Sequence, residues 1–207
     1  MARININPNR MELFRLKKRL VAAKRGHKLL KDKQDALIKT FLERAREGKA
    51  LREQVEAELK ACFGSFVLSR AQTTPEVLEQ ALMLPGAKCS LSVTWKNVMS
   101  VIVPEYHVKQ EGNPVNYGFA SVPILLDVAL EQFSKLILRL LELAAKEKAI
   151  RLMAVEFERT RRRVNALEYV IIPNLGETIR YISMKLDEQE RSTISRLMKI
   201  KDIVRKK

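Results

Sequence analysis

The chain has 207 residues, of which 46% are apolar, 30% charged and 6% aromatic, and its formal net charge is +15. With only seven glycines and seven prolines, this composition favours long helices over a compact β-sandwich. Its two cysteines, Cys62 and Cys89, form no CxxC pair, and the sequence suggests neither a disulfide framework nor a zinc site. We expect a reducing compartment, no metal and no cofactor.

The positive charge is concentrated at the two ends of the sequence. Residues 1–35 hold eleven Lys/Arg and three Asp/Glu, and residues 191–207 hold seven and one. If two long terminal helices pair antiparallel, both basic segments lie at the same end of the pair. Nucleic acid, an acidic lipid surface or a protein socket could each receive such a basic tip.

Residues 1–72 have the pattern of one long helix. Asn9 follows Pro8 and can cap the helix, and Glu12 in the first turn suits the positive end of the helix dipole. No further proline occurs until Pro75, so some 60 residues can form a helix of roughly 90 Å. Apolar positions recur at steps of three or four, the spacing of a left-handed coiled coil. These seam positions are Leu13, Leu16, Leu20, Ala23, His27, Leu30, Gln34, Leu37 and Phe41.

Residues 73–122 differ from the helices on either side and are predicted to form a small insert. Thr74 and Pro75 are a typical helix start, and Pro85-Gly86 should end that short helix. A β-hairpin should follow, with a short break at Lys96-Asn97 between its strands, and residues 107–123 should form a connecting loop. Such a hairpin is too small to be stable alone, so we expect it to lean against the helices or a neighbouring protein of a complex.

A second long helix is predicted for residues 123–207. It should start near Pro123, and Pro173, its only internal proline, should cause a kink or short break near Ile172. Its apolar stripe should pack on the N-terminal helix. The stripe consists of Val164, Leu167, Ile171, Leu175, Ile179, Ile182 and Leu186.

The ends of the two helices suggest how they pair. Setting Asn9 opposite Arg205 gives a register in which the numbers of facing residues sum to roughly 210–220. This register places Leu20 near Leu197, and Leu30 near Ile182 or Leu186. The predicted fold is therefore mainly α, a long antiparallel two-helix coiled coil with an inserted short helix and β-hairpin.

No segment is predicted to enter a membrane. The N-terminus has no apolar core of signal-peptide length. The richest apolar run, residues 122–145, is interrupted by a charge every three or four residues, which the centre of a bilayer would not tolerate.

The sequence offers no catalytic residue. It contains no GxxxxGK[ST] loop and no HExxH motif, and its only histidines are His27 and His107. His27 occupies a seam position, which favours a packed or register-setting role. The run Arg161-Arg162-Arg163 has two readings, a solvated helix face or a contact with a partner, and Glu168 lies one turn further along.

Two blocks of the sequence carry a family resemblance. They are NPNRMELFRLKKRLVAAKRGHKLLKDKQDAL near the N-terminus and EFERTRRRVNALEYVIIPNLGETIRYISMKLDEQER near the C-terminus, together about a third of the chain. Both resemble signature blocks of the D-type subunits of V/A-type rotary ATPases, the family that forms the central rotor stalk. The resemblance implies a non-catalytic shaft that couples ATP hydrolysis or synthesis to ion transport. It also implies a cytoplasmic protein, peripheral to the membrane as part of the ATPase complex.

The same resemblance implies partners and contact residues. The partners are a hexameric catalytic head of A- and B-type subunits, a small F-type stalk subunit and a funnel-shaped subunit on the membrane ring. Arg161 to Glu168 belong to the second block, and whether they face the head or the F-type subunit stays open. The residues carried over to the head-contacting tip are Asn9, Arg10, Lys17, Arg191, Arg196 and Lys199.

Two other classes of protein would also explain the charge. A basic coiled-coil scaffold that binds nucleic acid is one, but aromatic residues, which would stack on bases, make up only 6% of the chain. A rod lying on a membrane surface is the other, but it would need one continuous basic face. We therefore expect neither nucleic acid nor direct membrane insertion.

Overall fold

The structure is a computed structural model that describes residues 6–118 and 122–205. Within these ranges it confirms the predicted fold class, with long N- and C-terminal helices, one short helix and a two-stranded hairpin. The elements in chain order are α1 (Arg10–Gln72), α2 (Pro75–Leu82), β1 (Lys88–Val98), β2 (Val101–Glu111), α3 (Ile124–Ala166), a π-helix (Leu167–Ile171) and α4 (Ile172–Arg205).

The chain forms two compact units. The first, called the end unit here, consists of Met1–Ala36 and Phe157–Lys207. The second, called the insert unit, is Leu37–Glu156 and contains the hairpin.

In the end unit, α1 and α4 pack antiparallel on a small apolar core. Leu16, Leu175 and Ile182 are buried at its centre. Burying one such side chain contributes about 1.5–3 kcal/mol, so this cluster is a main source of the unit's stability. The residues packed around it include Leu13, Leu20, Ala23, Ile179 and Leu186.

The predicted register of the two helices is wrong. Arg10 forms an ion pair with Glu190, and His27 Nε2 lies 3.3 Å from Glu168 Oε2, so the numbers of facing residues sum to 200 and 195. Leu20 therefore packs on the core cluster, whereas Leu197 is 60% exposed. The prediction aligned the ends of the helices, but α4 continues well past Glu190.

The same register also moves Leu30 away from its expected neighbours. Ile182 packs on Leu16, and Leu186 joins that cluster, so Leu30 meets neither of them there. Leu30 is half-buried farther along α1.

The predicted break at Pro173 is present and takes the form of a π-helix. The Ile172 N–H donates to the Leu167 C=O, five residues earlier, and regular α-helix resumes at Ile172. Proline has no N–H to donate to the preceding turn, and a wider turn directly before it accommodates this loss. The extra residue turns Ile171 outward, where it is 42% exposed instead of packed on the seam.

In the insert unit, the hairpin differs in detail from the predicted one. Strand β1 continues through Lys96 and Asn97, which pair with Val103 and Ile102, so the predicted break there is wrong. The turn is Met99-Ser100, and both residues have positive φ angles (52° and 68°), as a two-residue type I′ turn requires.

The segments flanking the hairpin also have different bounds from those predicted. Residues 107–111 belong to β2, and only the part after Glu111 forms a connection, of which residues 119–121 lie outside the described ranges. Helix α2 begins at Pro75 as predicted and ends at Leu82, before Pro85-Gly86. Helix α3 begins at Ile124, directly after Pro123.

The hairpin packs against the helices of its own unit, as predicted. Val101 and Val103 are buried with Leu37, Ala149 and Met153. A second cluster lies farther along the same helices and contains Val55, Cys62, Leu136 and Leu143, with Leu51, Leu59 and Phe133 against it.

Close packing inside the insert unit makes one glycine position sensitive to size. A Cβ atom at Gly48 would lie 2.9 Å from Ile150 Cδ1, whereas nothing lies within 4 Å of a Cβ at Gly64. We expect Gly48→Leu to lower the free energy of unfolding by about 1–3 kcal/mol relative to Gly64→Leu, because only the first overpacks an interior. Urea unfolding followed by far-UV circular dichroism measures both. Equal stabilities would contradict this close approach.

The two cysteines should react at very different rates. Cys62 is buried and its thiol lies 3.6 Å from the Ala129 C=O, to which it can donate, and burial raises the pKa of this thiol. Cys89 is exposed on β1. Because thiolate is the reactive form, iodoacetamide at neutral pH should label Cys89 quickly and Cys62 only after denaturation. Mass spectrometry of the labelled peptides gives both rates, and similar native rates would contradict the packing of Cys62.

Candidate functional surfaces

The start of α1 meets α4 at Glu190, and the basic residues of α4 after Glu190 extend past the start of α1. The Arg10–Glu190 pair joins the start of α1 to α4 there. The Met11 N–H donates to Asn9 Oδ1 at 3.5 Å, so Asn9 caps α1 as the sequence suggested. The six predicted tip residues, Asn9, Arg10, Lys17, Arg191, Arg196 and Lys199, are all exposed.

Large exposed apolar side chains lie among the basic residues at the end of α4. The sequence analysis did not identify them as a surface. After Glu190, α4 has no packed partner among the described residues, and its apolar side chains remain exposed. An exposed apolar set of this size marks an interaction surface. The signal in the sequence was a second apolar stripe that begins at Ile194, eight residues after Leu186. The set consists of Ile194, Leu197, Met198, Ile200, Ile203 and Val204.

The outer face of α1 repeats this combination of apolar and basic groups. Phe14, Val21 and Leu29 are exposed at steps of seven and eight residues. Lys18 Nζ lies 4.5 Å from the centroid of the Phe14 ring, which is a cation–π contact, and Arg25 lines the same shallow groove. This face suits a partner that is partly apolar and carries acidic groups.

The arginine run occupies the end of α3. Arg161, Arg162 and Arg163 are all exposed, and Arg162 forms an ion pair with Glu158 one turn earlier. Glu168 is instead directed at His27 and links the π-helix to α1. Glu168 therefore contacts α1, whereas the three arginines face solvent, and the four residues do not form one cluster.

The seam residues are divided between the units. Leu13, Leu16, Leu20, Ile179, Ile182 and Leu186 belong to the end-unit cluster, and Val164 is buried in the same unit with Leu167 half-buried. Leu37 and Phe41 pack in the insert unit with the hairpin valines. The predicted stripe on α1 thus packs on α4 in one unit and on the hairpin and α3 in the other.

Neither a metal cluster nor a membrane-crossing helix occurs in the part of the chain that the structure describes. No group of three or more His, Cys, Asp or Glu residues is placed to hold a metal ion there. None of the helices in residues 6–118 and 122–205 is both long and apolar enough to cross a bilayer.

Comparison with known proteins identifies the family. The family model that describes the D subunit of ATP synthase matches residues 12–202. The chain belongs to the ATP synthase D-subunit family. This confirms the resemblance of the two terminal blocks.

Full-length relatives agree with this match. The V-type ATP synthase D subunit of Thermoanaerobacter sp. is 55% identical over 208 residues, covering 100% of both chains. The protein of the same name from Clostridioides difficile is 53% identical over 210 residues, covering 100% of this chain and 95% of its own. That of Clostridium novyi is 51% identical over 211 residues, covering 100% of this chain and 98% of its own.

The family match covers most of the candidate surfaces. Lys17, the arginine run and residues 191–202 lie inside the matched range, and Asn9 and Arg10 lie just before it. Lys17, Arg191, Arg196, Lys199 and the arginine run are therefore parts of the matched D-subunit sequence.

Proposed function

We propose that this chain is the central rotor stalk of a V/A-type ATPase or ATP synthase. It is a non-catalytic member of a multisubunit complex and couples ATP hydrolysis or synthesis to ion translocation through a membrane ring. The observation that carries this proposal is the full-length likeness to V-type ATP synthase D subunits. The long terminal helices support it, because a rotor needs length and torsional stiffness.

In this proposal the end unit contacts the catalytic head. The six tip residues and the exposed apolar side chains of α4 form a mixed surface that suits a socket better than a polyanion. The head is a hexamer of A- and B-type subunits around the stalk. An asymmetric stalk surface there favours a different conformation in each of three catalytic sites, so rotation drives them in turn.

The remaining partners lie along the stalk and at the membrane. They are the small F-type stalk subunit and the funnel-shaped subunit on the membrane ring, so the chain is cytoplasmic and peripheral to the membrane. Residues 1–72 and 123–207 act as one shaft, and residues 73–122 are an insert on it. The arginine run at Arg161, Arg162 and Arg163, with Glu168 nearby, is a contact for either the head or the F-type subunit.

A basic scaffold that binds nucleic acid is the rival function. Nucleic acid is held mainly through phosphate contacts, and its binding falls steeply with salt. The exposed apolar side chains interleaved with the tip charges give such a scaffold no advantage. We therefore favour a protein socket as the partner of the tip.

A native pull-down tests the proposal. The chain carries an affinity tag in the connection after Glu111, is expressed with the other proteins of its complex and is isolated in mild detergent. We expect nucleotide-hydrolysing head subunits and a small stalk protein to co-purify, while the isolated chain hydrolyses no ATP. Recovery of the chain with nucleic acid alone, released by added salt, would favour the scaffold instead.

A further inference from the structure

One face of the hairpin carries large apolar side chains that remain exposed on β1 and near the turn. Leu91, Val93 and Trp95 on β1 share this face with Ile102 on β2, because directly paired residues of antiparallel strands lie on the same face. All four are exposed, with Trp95 at 66% and Ile102 at 61%. Val101 and Val103 pack on the helices from the opposite face near the turn. On the face of Leu91 and Trp95, Pro104 of β2 is buried and Gln110 of β2 hydrogen-bonds to Ser134 of α3, so the exposed apolar side chains of this face lie mainly on β1.

Hydroxyl groups on the opposite face of β1 indicate which backbone N–H and C=O groups of the hairpin point toward its partner strand. The hydroxyl groups of Ser90, Ser92 and Thr94 donate to the carbonyl oxygens of their directly paired residues on β2, at 3.2, 3.2 and 3.3 Å. These carbonyl groups therefore point toward β1. Backbone groups alternate in direction along a strand, so the N–H and C=O of Leu91 and Val93 point away from β2.

This outward edge is open and lacks the usual protection. Among the described residues β1 pairs with β2 alone. Edge strands are commonly protected from further pairing by charges, proline or bulges along their length. Residues 89–95 contain no charge and no proline, and charges occur only at Lys88 and Lys96, on either side of this stretch.

The charges decide between a second copy of the chain and a different partner. Two copies paired antiparallel in the register that matches the whole uncharged stretch would set Lys88 of one opposite Lys96 of the other, and directly opposed like charges destabilise a sheet. A strand with a carboxylate at each end would instead pair with both lysines. Because Lys88 and Lys96 share the hydroxyl-bearing face, those carboxylates lie on the face opposite the apolar side chains.

We propose that β1 accepts a third strand from a different polypeptide, an alternating apolar strand with an acidic residue at each end. Its backbone bonds to the outward N–H and C=O groups of Leu91 and Val93. Its apolar side chains cover Leu91, Val93 and Trp95, and its acidic ends meet Lys88 and Lys96. The proposal goes beyond the rotor assignment, because it assigns a surface of the insert and the chemistry of its partner.

Hydrogen exchange in the assembled complex tests this strand addition. The probe is the native complex that contains this chain, compared with the free chain, with amides resolved residue by residue. The amides of Leu91 and Val93 should become at least tenfold more protected on assembly, whereas those of Ser92 and Thr94 should be protected already in the free chain. Strand addition alone gives this alternation, because burial of a face would slow neighbouring amides alike. Unchanged exchange at Leu91 and Val93 in an assembled complex would overturn the proposal without affecting the rotor assignment.

Variants of β1 give a second test. Val93→Pro removes an outward N–H that the hairpin does not use, while Val93→Thr retains it with a β-branched side chain. Val93→Pro should abolish the added protection at Leu91, and Val93→Thr should retain it. The pair Lys88→Glu with Lys96→Glu should reduce the protection at least tenfold without touching the backbone. Retained protection in this charge-reversed chain would overturn the acidic-ended partner, and Ser92 exchange confirms in each variant that the hairpin is folded.

Discussion

A cross-link from the tip of α4 to one catalytic head protein should stop sustained ATP turnover of the assembled complex. Met198 is exposed beyond the packed part of α4, so Met198→Cys leaves the end-unit core intact and presents a thiol on the surface that we propose for head contact. Cys89→Ser removes the only exposed native thiol among the described residues. We expect turnover to fall at least tenfold on cross-linking and to recover on reduction, because a rotor tied to its socket cannot complete a turn.

A cross-link within the rotor is the matched control. Cysteines at Arg10 and Glu190, joined by a short bifunctional maleimide, connect two helices that already pair in the end unit. Both ends of this link rotate together, so turnover should remain near that of the unlinked complex. If the link to the head also left turnover at its full coupled rate, the rotor assignment would fail and a static scaffold would become the better account.

Removing residues 191–207 should impair assembly or coupled turnover at least tenfold while leaving the helices folded. The deletion removes seven Lys/Arg and one Asp, together with the exposed apolar set of α4. It leaves Leu16, Leu175 and Ile182 in place, so circular dichroism of the isolated chain should lose only the signal of the deleted turns.

The single substitution Arg196→Ala should change turnover less than twofold. An exposed ion pair contributes only about 0–1 kcal/mol, and a contact that is remade on every turn cannot rest on one strong pair. The Leu197→Ser and Ile200→Ser double variant should have an intermediate effect, because it removes apolar contact and no charge. A large loss from Arg196→Ala alone would indicate a fixed ion pair instead of a distributed surface.

The periodicity of the sequence was sufficient to predict the helices but not their register. Stripes spaced at three and four residues identify a packing face, and any shift by whole heptads satisfies them equally. Contacts such as Arg10 with Glu190 select one register of α1 against α4, and these contacts cannot be predicted from the local sequence pattern. The apolar surface on α4 was missed for the same reason, since its exposure depends on where α1 begins.

The insert shows a different limit of sequence reasoning. Lys96-Asn97 looked like a turn because asparagine favours turns, but the hairpin turns at Met99-Ser100, neither of which is a usual residue at positive φ. The buried pair Val101 and Val103 fixes the position of the turn through packing on Leu37 and Met153. Tertiary contacts thus overrode the local preference.

The π-helix determines where a residue can be deleted from the C-terminal helices without disturbing their packing. A π turn holds one residue more than an α turn, so deleting one residue from Tyr169–Ile171 would restore α-helix and leave the flanking side chains facing as before. The same deletion between Thr178 and Ile182 would rotate everything after it by about 100° and carry Ile182 out of its core. Within the packed part of the C-terminal helices, a one-residue deletion is therefore accommodated best directly before Pro173.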